Sequence, residues 1–170
     1  MPSRFILLLV AITALLTSSA GHATLLIEID KSSQQMNVTI NDQSIYNWPV
    51  STGAGDYETP SGSFTPFRME IDHRSDEWDD APMPYSIFFT ANGVAVHGTY
   101  EVRSLGRAVS HGCVRLSLKN AATLWKLVKQ EKMANTSIVI TGEATDEALQ
   151  GSRLPLTSGP RRSFDICSHC

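Results

Sequence analysis

Two short apolar runs on either side of an Asn-Gly pair are the strongest constraint on how this chain folds. The runs are Ser86–Thr90 and Val94–His97, and Asn92-Gly93 lies between them. Asn-Gly is the pair that a two-residue hairpin turn accepts most readily, so the sequence predicts a β-hairpin here. His97 would then lie at the end of a strand, where a rigid sheet can orient its ring.

Further strand-like runs surround this hairpin. Three early runs predict a β-meander, with Asn41-Asp42 as a turn: Thr24–Asp30, Gln35–Ile40 and Ser44–Val50. Pro60 and Pro66 exclude a central strand position, so the segment between them predicts a turn and then an edge strand. Ser137–Thr141 is the last predicted strand.

One segment has helical periodicity. Ser117 is a suitable N-cap, and the helix is predicted to end near Lys132. Its apolar residues recur at helical spacing, and they are Leu118, Ala121, Ala122, Trp125 and Val128. The predicted fold is therefore mainly β, a sandwich or barrel-like domain with one packed α-helix.

A polar segment from Glu70 to Asp80 contains six acidic residues. It lacks the spacing of a calcium-binding EF-hand loop, so a solvated loop is the preferred interpretation. We expect the active site to lie in a groove under the Glu70–Tyr85 segment.

A cysteine and two histidines are the candidates for chemistry. Cys113 is a potential nucleophile, but an ordinary thiol is mostly protonated at neutral pH and needs a neighbouring base. His111 lies two residues before it, and His97 reaches it if the chain folds back, as an antiparallel return would allow. The spacing excludes neither histidine as the base. The non-catalytic alternative is a small buried cysteine that lies near a surface histidine.

Three motifs in order resemble the L,D-transpeptidase catalytic domain (the YkuD-type domain), from about Thr24 to Gly142. The principal motif is His97-Gly98-Thr99 followed by Ser110-His111-Gly112-Cys113-Val114-Arg115-Leu116. The other two are Thr59-Pro60-Ser61-Gly62-Ser63-Phe64 and Met83-Pro84-Tyr85-Ser86-Ile87-Phe88-Phe89.

The resemblance implies a catalytic role for five residues. Cys113 would be the nucleophile, and His97 would accept the thiol proton and return it to the leaving amine. Gly98 would orient His97 through its backbone carbonyl. Backbone N–H groups around His111 and Gly112 would form the oxyanion hole.

Three further residues would bind substrate by the same resemblance. Arg115 would bind a substrate carboxylate or brace the loop, and Tyr85 would line the acyl-donor cleft. Ser110 is expected to contact substrate or to fix the loop.

The resemblance also implies an activity, a substrate and a class of inhibitor. A peptidoglycan stem tetrapeptide would form a thioester on Cys113, and an amine would resolve it. That amine would be another stem, giving a 3→3 cross-link, or a lipoprotein lysine. No metal or organic cofactor is expected, and carbapenems are expected to acylate the cysteine.

Three alternatives remain open at this point. Water as the acceptor would make the enzyme an L,D-carboxypeptidase or a related hydrolase. A non-catalytic cell-wall-binding protein could keep the fold. A metal-binding protein could use Cys113, His111 and His97, although structural zinc prefers four clustered ligands.

The two ends of the chain are predicted to lie outside this domain, which spans residues 24–142. Residues 1–23 have Arg4, an apolar run and small-residue cleavage sites, which is typical of a secretory signal peptide, with an uncleaved anchor as the alternative. Residues 143–170 are expected to be a flexible tail. We therefore expect an exported protein of the periplasm or cell envelope.

The remaining cysteines, Cys167 and Cys170, could form a disulfide, a redox pair or a metal site, or could stay unpaired. A cysteine left over in an exported protein suggests a reactive thiol, which agrees with Cys113 as nucleophile. The formal net charge of −3 gives no basic surface for nucleic acid.

Overall fold

A computed structural model describes residues 24–144, which form two β-sheets and one long helix. The first sheet has the spatial order β3-β2-β1-β9-β4 and the second the order β5-β6-β7-β8. The strands of the first sheet are β1 (Leu25–Asp30), β2 (Gln35–Ile40), β3 (Gln43–Pro49), β4 (Gly62–Phe64) and β9 (Thr136–Thr141). Those of the second are β5 (Arg68–Arg74), β6 (Pro82–Phe88), β7 (Ala95–Thr99) and β8 (Val114–Ser117). The predicted fold class, mainly β with one packed helix, is confirmed.

The helix α1 (Leu118–Glu131) packs against β6, β7 and β8. Ser117 caps it as predicted, since its hydroxyl accepts a hydrogen bond from the Asn120 N–H at 3.3 Å. The helix ends at Glu131, and Lys132 follows in a left-handed conformation. Its fully buried residues are Ala121, Leu124 and Val128. Short 3₁₀ helices lie at Gly55–Tyr57, Val102–Ser104 and Met133–Asn135.

The β-meander is present in the predicted order, with β1 antiparallel to β2 and β2 antiparallel to β3. Asn41 and Asp42 have φ of 50° and 62°, and they join Ile40 directly to its partner Gln43. Two left-handed residues are what a tight type I′ hairpin requires. The strand β4 lies at the edge of its sheet, as Pro60 and Pro66 predict.

The core lies between the two sheets and the helix. Each element contributes its apolar face: β1 through Leu25, Ile27 and Ile29, β9 through Ile138 and Ile140, and α1 through Leu124. From the second sheet, Val96, Val114 and Leu116 complete it. Burial of side chains of this size contributes about 1.5–3 kcal/mol each.

The hairpin around Asn92-Gly93 forms, but its connection is longer than two residues. The last paired residues are Phe88 and Ala95, and the Gly93 N–H closes a turn on the Thr90 carbonyl. His97 lies in the middle of β7, not at its end as predicted. The return to Cys113 is parallel, because β7 and β8 run in the same direction.

The predicted solvated loop from Glu70 to Asp80 is wrong for residues 70–74, which belong to a strand. Arg68–Arg74 is a strand, and it pairs with β6 in antiparallel register from Arg68↔Phe88 to Arg74↔Pro82. Only residues 75–81 form the connecting turn. Strand β5 has few large apolar residues because it lies at the edge of its sheet, where its side chains are mostly exposed.

No helix within residues 24–144 is long and apolar enough to cross a membrane. The predictions for the secretory signal peptide, for almost all of the tail, and for Cys167 and Cys170 concern residues outside the described range.

Candidate active site

The parallel strands β7 and β8 form the floor of the site. They pair Val96 with Val114, His97 with Arg115 and Gly98 with Leu116. Because side chains alternate along a strand, the valines and Leu116 enter the core while His97 and Arg115 share the opposite face. Cys113 immediately precedes β8 and packs beside Ala95 on this second face. The fold therefore brings the candidate nucleophile and one candidate base to one surface.

A cavity of about 370 Å³ covers this surface. Cys113, His97 and Arg115 line its floor, and the β5–β6 hairpin supplies one wall. The wall includes the hairpin turn around Trp78 and the strand residue His73. The predicted groove under the Glu70–Tyr85 segment thus corresponds to this cavity.

The His97 side chain is buried, with 6% of its surface exposed. Its Nδ1 lies 2.9 Å from the Gly98 carbonyl oxygen. Because a carbonyl only accepts hydrogen bonds, this contact places the proton on Nδ1 and leaves the lone pair on Nε2. Burial lowers the pKa of His97 to about 4, with the Gly98 carbonyl opposing the shift and Arg115 and His73 adding to it. The ring is therefore neutral and oriented.

Cys113 is partly buried in a small apolar cluster with Met83, Phe88 and Ala95. This burial raises the pKa of the thiol, and the nearby Glu77 carboxylate adds to the rise. The Ala95 backbone and the Arg115 guanidinium pull the same pKa downward. The resting cavity consequently contains a neutral thiol and a neutral imidazole.

Hydrogen bonds hold the loop that carries Cys113. The Ser110 hydroxyl donates to the Cys113 carbonyl at 2.5 Å, and Ser110 itself is 3% exposed. Ser110 therefore fixes the loop, and its substrate contact stays a prediction. The Gly112 N–H reaches the Ser110 hydroxyl at 3.3 Å, a long bond that a stronger acceptor can displace.

The His111 ring faces the hairpin turn. It stacks on Trp78 with ring centroids 3.9 Å apart and an interplanar angle of 19°. Tyr57 meets the same ring edge-on at 5.2 Å. Sequence spacing left both histidines open as the base, and the shared face of β7 and β8 favours His97.

Arg115 lies opposite His97 in the parallel register, and its side chain is 21% exposed. Its nearest carboxylate is that of Glu101, at 3.9 Å. Such a long contact leaves guanidinium donors directed at the cavity, which suits a substrate carboxylate.

Tyr85 does not line the cavity that holds Cys113, and its place in an acyl-donor cleft stays a prediction. It lines a separate hollow with Tyr100 and Leu118. The cause is local, because Tyr85 has φ of 57° and the pairing of β5 with β6 skips it and Ile71. A left-handed residue inside a strand interrupts the alternation of faces.

One group of residues near the site was missed from the sequence. His73, Glu70 and Arg68 form a charged cluster on β5, and His73 and Arg68 line the cavity. These residues lie in or beside the segment that the sequence presented as a solvated acidic loop. Their strand, β5, pairs with β6, but the prolines in and beside β6 concealed this pairing in the sequence.

Metal ligation is not favoured by the arrangement of these groups. Within residues 24–144, no three His, Cys, Asp or Glu side chains are placed to hold a metal ion. The metal-binding alternative built on Cys113, His111 and His97 lacks the necessary cluster.

Comparison with known proteins agrees with the fold and the motifs. The family model of the L,D-transpeptidase catalytic domain, YkuD, matches residues 24–145. The chain therefore belongs to the L,D-transpeptidase catalytic domain family, as the motifs predicted.

Individual relatives are distant in sequence. The protein YkuD of Bacillus subtilis (strain 168) is 24% identical over 102 residues, which cover 60% of this chain and 59% of that protein. An L,D-transpeptidase from Mycobacterium smegmatis has a TM-score of 0.63 at 26% identity, over 70% of this chain and 59% of that one. An L,D-transpeptidase solved in complex with imipenem has a TM-score of 0.61 at 27% identity, with the same shares covered. The chain thus spans about 59% of the length of these relatives.

Proposed function

We propose that this protein is an exported cysteine L,D-transpeptidase that acts on peptidoglycan stem tetrapeptides in the cell envelope. The observation that carries the proposal is the shared face of β7 and β8, where Cys113 and an oriented, neutral His97 line one cavity. Membership of the L,D-transpeptidase family supports the reaction class.

In the first half-reaction, Cys113 attacks the carbonyl carbon between the L-centre of a diaminopimelate residue and the terminal D-alanine. His97 Nε2 accepts the thiol proton as the S–C bond forms. The C–N bond then breaks, and the imidazolium returns that proton to the departing amine of D-alanine. The Gly98 carbonyl stabilises the transient imidazolium through the Nδ1 hydrogen bond.

The negative oxygen of the tetrahedral intermediate requires backbone donors. The N–H groups of the His111–Cys113 loop are the nearest candidates, and an oxyanion displaces the long Gly112 contact to Ser110. Removing one donor of this kind typically costs about 2.7–4 kcal/mol of transition-state stabilisation.

In the second half-reaction, an acceptor amine attacks the thioester carbonyl, the C–N bond forms and the C–S bond breaks. A proton from the amine passes through His97 to the sulfur, which regenerates the thiol. A stem-peptide amine gives a 3→3 cross-link and supports cell wall biogenesis and cell shape. A lipoprotein lysine gives an anchored protein, and water gives the L,D-carboxypeptidase alternative.

The cavity charges suit such a substrate. Arg115 is placed to bind a carboxylate of the stem, while Asp76 and Glu77 on the hairpin turn can contact its amino groups. β-Lactams are the expected covalent inhibitors, and a relative solved with imipenem supports this expectation.

Export to the periplasm or cell envelope rests on the sequence of residues 1–23. N-terminal sequencing of the protein recovered from the envelope fraction tests it. A new N-terminus after Ala20 or Ala23 is expected, and an intact Met1 in that fraction would favour the membrane anchor.

The central experiment is intact-mass measurement of the mature protein after incubation with imipenem. The parent is expected to gain one adduct, Cys113→Ala none, and His97→Asn to react about 10²–10⁴-fold more slowly. Asp72→Asn, on the exposed hairpin strand, is the matched control and should react as the parent does. D-Alanine release from a tetrapeptide then measures the first half-reaction.

Two results would contradict the proposal. No adduct on the folded, reduced parent would favour the non-catalytic wall-binding alternative. An adduct that persists on Cys113→Ala would move the nucleophile elsewhere. Capture of the acyl group by an added amine separates the transpeptidase from the carboxypeptidase.

A further inference from the structure

A second histidine in the cavity is oriented by its own carboxylate. His73 Nδ1 lies 2.7 Å from Glu70 Oε2, and the His73 side chain is 16% exposed. A carboxylate accepts hydrogen bonds, so this contact places the proton on Nδ1 and leaves the Nε2 lone pair available. A base held by a carboxylate is the arrangement that activates imidazole in catalytic triads.

The His73–Glu70 pair has further contacts with an aromatic ring and a guanidinium. The His73 ring meets the Phe88 ring edge-on, with centroids 4.9 Å apart. The Arg68 guanidinium lies 3.6 Å from the centroid of the same Phe88 ring, and Arg68 Nη1 lies 3.3 Å from Glu70 Oε1. Glu70 is therefore shared between His73 and Arg68, and the two contacts together orient its carboxylate.

Two buried side chains connect His73 to the nucleophile. Met83 is the partner of His73 in the β5–β6 register, and Phe88 contacts the His73 ring. Both belong to the apolar cluster against which Cys113 packs. Strict alternation would place residues 83 and 88 on opposite faces, and the left-handed Tyr85 between them brings both to the cavity. His73 thus faces the reaction site from the hairpin wall, across from His97.

The proton balance of the second half-reaction gives such a group a task. An aliphatic amine has a pKa of about 10, so at neutral pH it arrives as an ammonium ion with no lone pair. It must lose one proton before it attacks and a second as the C–N bond forms. The second proton returns to the sulfur through His97, so a separate base on the cavity wall lets the first leave without occupying His97. His97 cannot hold both protons at once.

We propose that His73, oriented by Glu70, is the base that deprotonates the acceptor ammonium before it attacks the thioester on Cys113. The inference rests on the proposed transpeptidase function and assigns a residue to its acceptor step. His73 Nε2 takes the first ammonium proton, the free amine attacks, and the C–S bond breaks. The imidazolium of His73 then releases its proton to water in the open part of the cavity.

The experiment measures how the acyl-enzyme partitions between aminolysis and hydrolysis. The mature protein is supplied with a tetrapeptide donor, and each product is quantified with one of two acceptors at pH 7. One acceptor is a lysine derivative, which is protonated, and the other is methoxyamine, which is largely unprotonated. The partition ratio is independent of the fraction of active enzyme, so loss of folded protein in a variant does not affect it.

The expected result is specific to the basic acceptor. His73→Gln should lower the aminolysis-to-hydrolysis ratio for the lysine derivative about 100-fold, in the range typical of a general base, and leave the ratio for methoxyamine nearly unchanged. Glu70→Gln should give an intermediate fall, because an amide oxygen still orients the ring but carries no charge. Asp72→Asn, which lines the separate hollow on the same strand, should match the parent for both acceptors.

Equal losses with both acceptors in His73→Gln would show a general effect on acceptor binding or on loop structure and would overturn the inference. An unchanged ratio with the lysine derivative would overturn it as well. Failure of the parent to release D-alanine would overturn the proposed function itself, and it is recognised before any variant is compared.

Discussion

The Thr59 hydroxyl donates a hydrogen bond of 2.7 Å to the carbonyl oxygen of Gly112. The same hydroxyl accepts the N–H of Gly53 at 2.9 Å. A single buried side chain therefore connects the segment between β3 and β4 to the loop that carries Cys113. Thr59 lies 53 positions before Gly112 in the chain, so the position of the candidate nucleophile beside Gly112 depends on a distant residue.

A buried charge fixes Thr59 in turn. Lys31 is 2% exposed, and its ammonium donates to the Thr59 carbonyl at 3.0 Å and pairs with Glu58 at 2.5 Å. Gln34 lies at the other end of the turn that begins at Lys31. Its side-chain amide donates hydrogen bonds to the Lys31 carbonyl and to the Thr52 hydroxyl. An unpaired ammonium would be costly in this setting, so the contacts of Lys31 and Gln34 together define one conformation of the segment.

Thr59→Val should disturb both stability and catalysis. The change keeps the shape but leaves the Gly53 N–H and the Gly112 carbonyl buried without partners, at about 1–3 kcal/mol each. We expect the free energy of unfolding, measured by urea denaturation, to fall by about 2–4 kcal/mol. The rate of imipenem acylation should fall too, and Thr59→Ser, which keeps the hydroxyl, should restore both. Wild-type acylation in Thr59→Val would show that Gly112 holds its place without this bond.

Gly53→Ala should damage the site through steric conflict. A Cβ at this position would lie 1.8 Å from the Tyr57 carbonyl oxygen and 2.9 Å from the Gly112 backbone, so the two loops must separate. We expect loss of tetrapeptide turnover together with a lower midpoint of urea denaturation. Gly55→Ala is the control, because its φ of 57° brings only a backbone cost of about 1–2 kcal/mol and its Cβ meets open space. Equal turnover in the two variants would contradict the close approach at Gly53.

Features set by local chemistry could be predicted from the sequence. The turn at Asn41-Asp42 needs only two residues that tolerate left-handed backbone, and the helix start at Ser117 needs only a hydroxyl beside free N–H groups. The motif around Cys113 identified the family for a similar reason, since its residues are contiguous. The roles of the catalytic residues remain predictions.

Features set by distant partners could not be predicted. The parallel pairings of β1 with β9 and β7 with β8 join segments far apart in the chain, so no local pattern specifies them. Strand β5 carries charges of both signs and is largely exposed, and only its pairing with β6 makes it a strand. The left-handed Tyr85 shifts the faces of β6, which is why Tyr85 lies outside the cavity and His73 lies inside it.

Trp78→Ala should weaken substrate binding more than chemistry. Trp78 stacks on His111 and meets Tyr57 edge-on at 5.3 Å, which connects the hairpin turn to the loop that carries Cys113. Aromatic pairs of this kind contribute about 0.5–1.5 kcal/mol each. Loss of both pairs should therefore lower the free energy of local opening of the turn by roughly 1–3 kcal/mol. We expect a higher KM for the tetrapeptide, a smaller change in kcat, and faster amide exchange over residues 75–81. Trp78→Phe should recover part of each effect, and an unchanged exchange rate would contradict the bracing role.

The stability of the protein should depend on the protonation of His97. Its pKa is about 4 in the folded chain and 6.5 in the unfolded chain, so the unfolded state binds more protons between these values. The stabilisation from neutral His97 is therefore complete above pH 6.5, declines as the pH falls and is lost near pH 4. The difference amounts to about 3 kcal/mol in the free energy of unfolding.

Urea denaturation at intervals from pH 4 to pH 7 tests this dependence, with His97→Asn measured beside the parent. Carboxylates titrate in both proteins, so the difference between the two curves isolates His97. We expect the stability of the parent relative to the variant to rise by about 3 kcal/mol across the interval, because only the parent must keep a buried imidazole uncharged. A difference that does not change with pH would mean that the ring is protonated as easily in the folded chain as in the unfolded one. In that case burial would not hold His97 neutral, and the thiol proton would have no ready acceptor at low pH.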